Sequence, residues 1–185
     1  MRLLVAAHAA ELGAFESDIP GFDRLLTGVG KLRATYELTR ALDAASYEEI
    51  VVVGTAGSLD DDLPGGIYEI DGAVQHDVKD LDGVLGQHFS LPTRVDVQAE
   101  GITIATGDHF VDDAAAVAVI RSLGARLVDM EAYAFAWVAA QFGVPIRILK
   151  AVSDRAQDGA TQLWDDVVAE CSRQLRERIR SDYGV

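Results

Sequence analysis

Short apolar runs alternate with longer amphipathic ones along this chain. Leu3–Ala7 and Arg24–Thr27 read as strands, whereas Lys31–Ala45 carries Leu32, Tyr36, Leu38 and Leu42 at helical spacing. Ile50–Val53 is a β-branched run ending at Gly54, the pattern of a strand buried on both faces. A turn-rich loop over Asp60–Gly66 leads to a further strand over Ile67–Val74. Ile102–Ala105 and Arg126–Val128 read as strands on either side of a helix over Asp113–Leu123. The spacing predicts another helix over Met130–Phe142, stopped by Gly143 and Pro145. A strand over Ile146–Val152 and a long amphipathic helix over Leu163–Ile179 close the pattern. Asp82–Glu100 is the least regular stretch, a candidate loop or region of subunit contact.

Strands alternating with helices predict an α/β fold. The expectation is a single domain over 1–185, with three layers: a central, mostly parallel or mixed sheet flanked by helices. A chain of this length buries about two-thirds of its unfolded surface. In open α/β sheets, ligands gather at the carboxyl ends of the strands. Glu11, the Thr55-Ala56-Gly57-Ser58 turn, Glu131 and Ser153-Asp154 each follow a predicted strand. They would therefore converge on one edge of the sheet and form a pocket with several carboxylates.

Composition narrows the partners. Acidic residues number 30 against 16 basic ones, for a formal charge of −14, which repels phosphate backbones and argues against nucleic acid. No stretch approaches the roughly 20 apolar residues that cross a bilayer. The opening MRLLVAAHAAELGAF is interrupted by His8 and Glu11 and reads as a first strand rather than a signal peptide. Cys171 stands alone, which fits a reducing cytoplasm. His8, His88 and His109 show no metal-ligand spacing, so neither metal nor cofactor is expected. Gly28-Val29-Gly30-Lys31 lacks the spacing and the following Ser or Thr of a phosphate-binding loop, and reads as a tight strand-to-helix turn. No Gly-x-Ser-x-Gly elbow is present.

The most informative segment is Leu127–Asp154, LVDMEAYAFAWVAAQFGVPIRILKAVSD. Met130-Glu131-Ala132, Phe142-Gly143-Val144-Pro145 and Ser153-Asp154 follow one another at spacings that resemble the purine nucleoside phosphorylase and nucleosidase superfamily. Gly28–Lys31, Gly54-Thr55-Ala56-Gly57, His76-Asp77 and Thr106-Gly107-Asp108-His109-Phe110 match further blocks of that pattern in order. The likeness is greatest to methylthioadenosine/S-adenosylhomocysteine nucleosidases. It implies a nucleoside phosphorylase-like fold, a small-molecule nucleoside substrate and a homodimer whose subunits complete each other's pockets.

By this resemblance Asp154 is the general acid. Purine N7 is weakly basic, so the leaving base must be protonated as the C–N bond stretches, a task suited to a secluded carboxyl group of raised pKa. Taken alone, Ser153-Asp154 would be a simple turn after a strand. Glu131 would accept hydrogen bonds from the ribose 2′- and 3′-hydroxyls with Met130 packed against the sugar, although an acidic residue in the first turn of a helix also suits the helix dipole. Phe110 would stack on the purine and the backbone of Val111 would read its edge; core packing is the plainer account of both. Thr55, Ala56 and Gly57 would line the site, and Trp164 would take the place of a family phenylalanine that covers the 5′ pocket.

The family divides by nucleophile. Phosphorylases place an arginine two residues before the Gly-Ser/Thr loop, where this chain has Val52, and Leu3–Phe15 contains no arginine. Glu11 instead stands where nucleosidases hold the glutamate that activates water, and Lys150, in place of their usual arginine, would orient Glu11 or that water. Hydrolysis of a purine nucleoside, with adenine as the base, is therefore expected. A phosphate-dependent phosphorylase remains the alternative. The chain is shortened around Asp80–Glu100, and Gln75 replaces the aromatic expected before His-Asp. Methylthio, homocysteinyl, futalosine-type and plain 5′-deoxy groups thus all stay open.

Overall fold

The apolar runs become the strands of one eight-stranded sheet. The computed structural model describes residues 1–156 and 164–185, the side chain of Trp164 excepted. In chain order the elements are β1 (Arg2–Ala6), a 3-10 turn (Ala9–Leu12), β2 (Phe22–Leu26), α1 (Lys31–Ala44), β3 (Ile50–Ser58) and β4 (Ile67–Gln75). They continue with β5 (Arg94–Asp96), β6 (Ile102–Thr106), α2 (Ala114–Arg121), β7 (Leu127–Asp129), α3 (Ala132–Phe142), β8 (Ile146–Arg155) and α4 (Trp164–Tyr183).

Period-two alternation explains the layers. Leu3, Val5, Ile50, Val52 and Ile148 face α1 and α3, where they meet Leu38, Leu42, Phe135 and Val138. Their neighbours Leu4, Ala6, Val51, Val53 and Leu149 face α4 and meet Cys171, Leu175 and Ile179. Burial on both faces is why these strands read as unbroken apolar runs. A smaller cluster packs Val117 and Ile120 of α2 against Val74, Ala105 and Val128. Among the described residues, no helix is long and apolar enough to cross a membrane.

The sheet is mixed and curls on itself. Its order is β2-β1-β3-β7-β6-β4-β5, and β8 pairs with both β3 and β4. Strands β3, β8, β4, β6 and β7 thereby form a closed ring, with β1 and β2 added beside β3. The pairs β1–β2, β1–β3, β3–β8, β4–β6 and β6–β7 are parallel, and β3–β7, β4–β5 and β4–β8 are antiparallel.

Ring closure corrects the strand boundaries read from apolar runs. Thr55–Ser58 and Ser153-Asp154 lie inside β3 and β8 rather than in turns beyond them. Backbone pairing holds these polar and small residues in extended conformation, and the register shifts between Ala56 and Gly57. Such a bulge re-aims the side chains that follow it. The irregular stretch 82–100 contains β5, a short strand paired to β4. Met130 and Glu131 precede α3 instead of belonging to it. Leu163, the expected start of the last helix, lies outside the described residues. In α1 the buried stripe is Ala34, Leu38 and Leu42, whereas Leu32 and Tyr36 project outward at 83% and 59% exposure. The helical spacing is correct, but it serves two faces.

Candidate active site

Glu11 is fixed by donors from the bend after β1 and from β3. His8 caps the 3-10 turn, its ring accepting from the Ala10 N–H at 3.3 Å. The Glu11 Oε2 in turn accepts from the backbone N–H groups of His8 at 2.9 Å and Ala7 at 3.2 Å. Its Oε1 accepts from the N–H and hydroxyl of Thr55 at 2.7 and 3.0 Å. Four donors on a buried carboxylate leave it little rotational freedom. Thr55, inside β3 just before its register shift, supplies two of the four.

Glu131 stands at the N-cap of α3, yet its side chain does not cap the helix. Asp129 does that, accepting the Ala132 N–H at 2.9 Å. Glu131 reaches instead across to the start of α1 and accepts the Gly30 N–H at 2.7 Å. Gly30 has φ 99°, a conformation that favours glycine, and a Cβ there would press to 3.1 Å from Asp108 Oδ1. The next N–H, that of Lys31, donates to Asp108 at 2.8 Å. Gly28–Lys31 is thus the tight turn expected, and the backbone donors at its helix end are taken by two carboxylates.

Beneath these groups lies Lys150, 2% exposed, with its Nζ 2.9 Å from Asp129 Oδ2. Thr106 donates to the other oxygen of Asp129 at 2.7 Å. Burial works against the ammonium charge, but Asp129, Glu131 and Glu11 outweigh it and hold Lys150 above its ordinary value. For Glu131, burial and then the charge of Asp129 push its pKa from 4.5 up to about 7; Lys150 and the Gly30 N–H pull the other way.

Asp154 projects from the far end of β8, where Ser153 Oγ donates to its Oδ2 at 2.7 Å. A Cβ at Gly57 would stand 3.1 Å from Asp154 Oδ1, so the glycine makes room for this carboxyl group. The loop carrying His109, Phe110 and Val111 is anchored from behind. His109 packs edge-on against the buried His76 at 4.8 Å, and Asp77 accepts the Asp108 N–H at 2.8 Å. Lys31 completes the anchor with an ion pair to Asp77 at 2.6 Å. Burial, then the facing His109, keeps His76 below its usual pKa.

These segments enclose a cavity of about 240 Å³. Of the residues singled out in the sequence, Glu11, Thr55, Ala56, Gly57, Phe110, Val111, Met130, Glu131 and Asp154 line it. Phe110 is half exposed at the mouth, while Val111 is buried and also packs in the α2 cluster. Lys150 is not among the residues that line the cavity; it sits behind the wall, paired with Asp129 and close to Glu11. The side chain of Trp164 lies outside the described residues. Sequence reasoning missed Asp129, although a lysine inside the apolar run Ile146–Val152 demands a buried partner, and Asp129 belongs to the same motif block. Among the described residues lining the cavity, none is arginine or lysine. Four carboxylates, Glu11, Asp129, Glu131 and Asp154, on an otherwise largely apolar cavity can supply a proton, accept hydroxyl hydrogen bonds and favour a developing cation.

A family model described as the phosphorylase superfamily matches residues 25–181. A 5′-methylthioadenosine/S-adenosylhomocysteine nucleosidase of Marinomonas sp. (strain MWYL1) is 31% identical over 182 residues, covering 84% of this chain and 78% of that protein. Among solved structures, the Helicobacter pylori 5′-methylthioadenosine/S-adenosylhomocysteine nucleosidase superposes with a TM-score of 0.85 at 24% identity, covering 97% of this chain and 96% of that one. The futalosine hydrolase of Helicobacter pylori strain 26695 does so with 0.86 at 23%, covering 97% and 95%. Both structures share this fold.

The raised pKa of Glu131 gives a stability prediction with a definite sign. Between pH 4.5 and about 7 the folded chain retains a proton that the unfolded chain has lost, so this group's contribution to stability falls as pH rises through that window. Glu131→Gln should therefore gain stability over the parent by up to about 3 kcal/mol at pH 8 relative to pH 4.5. Urea unfolding at the two pH values measures it; parallel stabilities of parent and variant would contradict it.

Proposed function

Since the chain belongs to the phosphorylase superfamily, we propose that it is an N-glycosidase that hydrolyses a purine nucleoside, with adenine as the base and a 5′-alkylthio group on the ribose. The observation that carries this reading is the convergence of Glu11, Glu131 and Asp154 on one cavity whose described lining offers no arginine or lysine for a phosphate dianion. Val52, where a phosphorylase would need an arginine, is buried in the core.

Each carboxylate has a task set by its surroundings. Glu131 accepts from the ribose hydroxyls, its carboxylate already oriented by Gly30. As the C1′–N9 bond stretches, electrons flow to the base and Asp154 delivers a proton to N7, so a neutral purine leaves. Positive charge growing on the ring is met by the surrounding carboxylates. Water then bonds to C1′ through its oxygen and passes a proton to Glu11, whose four donors aim it. Phe110 covers the base at the mouth, and Val29 lines the same cavity.

We also propose a homodimer. Val29, Leu32 and Tyr36 follow one another along one exposed side at the start of α1, and Val29 and Phe110 both line the cavity, so this apolar surface is continuous with the mouth of the site. Leu32→Glu should convert the dimer to a monomer in sedimentation equilibrium. A parent chain that is itself monomeric would overturn the proposal.

For the reaction, methylthioadenosine incubated without phosphate should yield free adenine, and Asp154→Asn should lower kcat by about 10²–10⁴-fold. Liquid chromatography of the products, with and without phosphate, decides it. Base release that strictly requires phosphate would establish the phosphorylase instead. Turnover of other 5′-substituted nucleosides with methylthioadenosine untouched would reassign the 5′-group.

A further inference from the structure

Lys150 is a fully buried cation that the reaction as described does not use. It projects from β8 beside Gly54, its partner in the β3–β8 register. A Cβ at Gly54 would lie 3.0 Å from both Lys150 Nζ and Glu11 Oε1, so the bare glycine is what lets the ammonium and the water-directing carboxylate approach one another. On its other side Lys150 is paired with Asp129. Asp129 is in turn fixed by Thr106 and by the Ala132 N–H at the start of α3, immediately after Glu131. One buried ammonium thus pairs with Asp129 and stands close to Glu11, with Glu131 two residues beyond Asp129.

We propose that Lys150 and Asp129 form a positioning pair that sets the negative charge carried by Glu131, with Lys150 acting from behind the wall and never touching substrate. The inference rests on the reading of Glu131 as the sugar-binding carboxylate. The groups that face Glu131 are His8 and Glu11 from the turn after β1, Asp108 and His109 from the loop after β6, Asp129 at the end of β7, and Lys150 and Asp154 from β8. Lys31, at the start of α1, is turned away toward Asp77. Within this set Lys150 is the one buried cation, and Asp129 is the nearest competitor for it. Burial and Asp129 raise Glu131 toward neutrality while Lys150 opposes them, so the two members of the pair act on Glu131 with opposite sign.

Opposite signs separate this role from simple structural support. Lys150→Met removes the attraction and should move the acid limb of the kcat/KM–pH profile upward by about one to three pH units. Asp129→Asn keeps one amide oxygen to accept the Ala132 N–H, turns an NH2 toward the Thr106 hydroxyl, and removes the repulsion, and should move the limb downward. Lys150→Arg should restore the parent profile. A second readout, carbon-13 NMR of the Glu131 carboxyl group without substrate, follows its titration independently of turnover. Displacements of opposite sign in that titration support the pair. Loss of activity in both variants with the titration unmoved, or moved in one direction by both, overturns it. If Lys150→Met does not fold, the downward displacement in Asp129→Asn and the parent titration in Lys150→Arg must still appear. If the NMR titrations diverge while the kinetic limb stays in place, the pair stands and the sugar-binding role of Glu131 falls.

Discussion

Four carboxylates, those of Glu11, Asp129, Glu131 and Asp154, are drawn to one end of the sheet, and one ammonium, that of Lys150, is buried among them. Like charges in a dry setting repel strongly, and an unpaired buried ion is costly. The structure meets this constraint with donors placed in advance rather than with further cations. Glu11 takes three backbone N–H groups and a hydroxyl, Glu131 takes the Gly30 N–H, and Asp129 takes the Ala132 N–H, the Thr106 hydroxyl and Lys150. Apart from Thr55 and Lys150, which lie inside β3 and β8, each of those donors sits at or next to the end of an element. The ring closure of β3, β8, β4, β6 and β7 is therefore part of the chemistry, because it brings the ends of β1 and β7, the register shift in β3 and the last residues of β8 to one place.

A site with this charge distribution favours a substrate that becomes more positive as it reacts. A ribosyl group losing a purine does so, and it also needs a proton donor for the departing base. Binding energy from the hydroxyls, the base and the 5′-group can then be directed to the bond that breaks. The negative cavity disfavours a dianionic nucleophile, which leaves water as the co-substrate most compatible with the walls observed.

Much of this was legible in the sequence because strands buried on both faces leave unbroken apolar runs, as Ile50–Val53 does, and because the motif residues recur at spacings tied to strand ends. The boundaries of β3 and β8 were not legible. Thr55–Ser58 and Ser153–Arg155 are small or polar, and only pairing across the ring keeps them extended. The two faces of α1 were merged for a related reason, since helical spacing identifies a period but not which stripe meets the sheet. Glu131 was readable as a candidate, whereas its link to Gly30 spans 101 residues and follows from tertiary closure alone. Asp129 and Lys150 form the clearest case. The lysine inside an apolar strand announced a buried partner, and only the fold could say which carboxylate it was.

If Asp154 protonates the leaving base, its loss must weigh differently on two leaving groups in the same site. An adenine nucleoside needs the proton, whereas a 4-nitrophenyl riboside departs as a stabilised anion without it. Asp154→Asn should slow the adenine nucleoside by about 10²–10⁴-fold and leave kcat for the aryl riboside within about tenfold of the parent. Equal losses on both substrates would contradict it and make Asp154 a structural or binding residue.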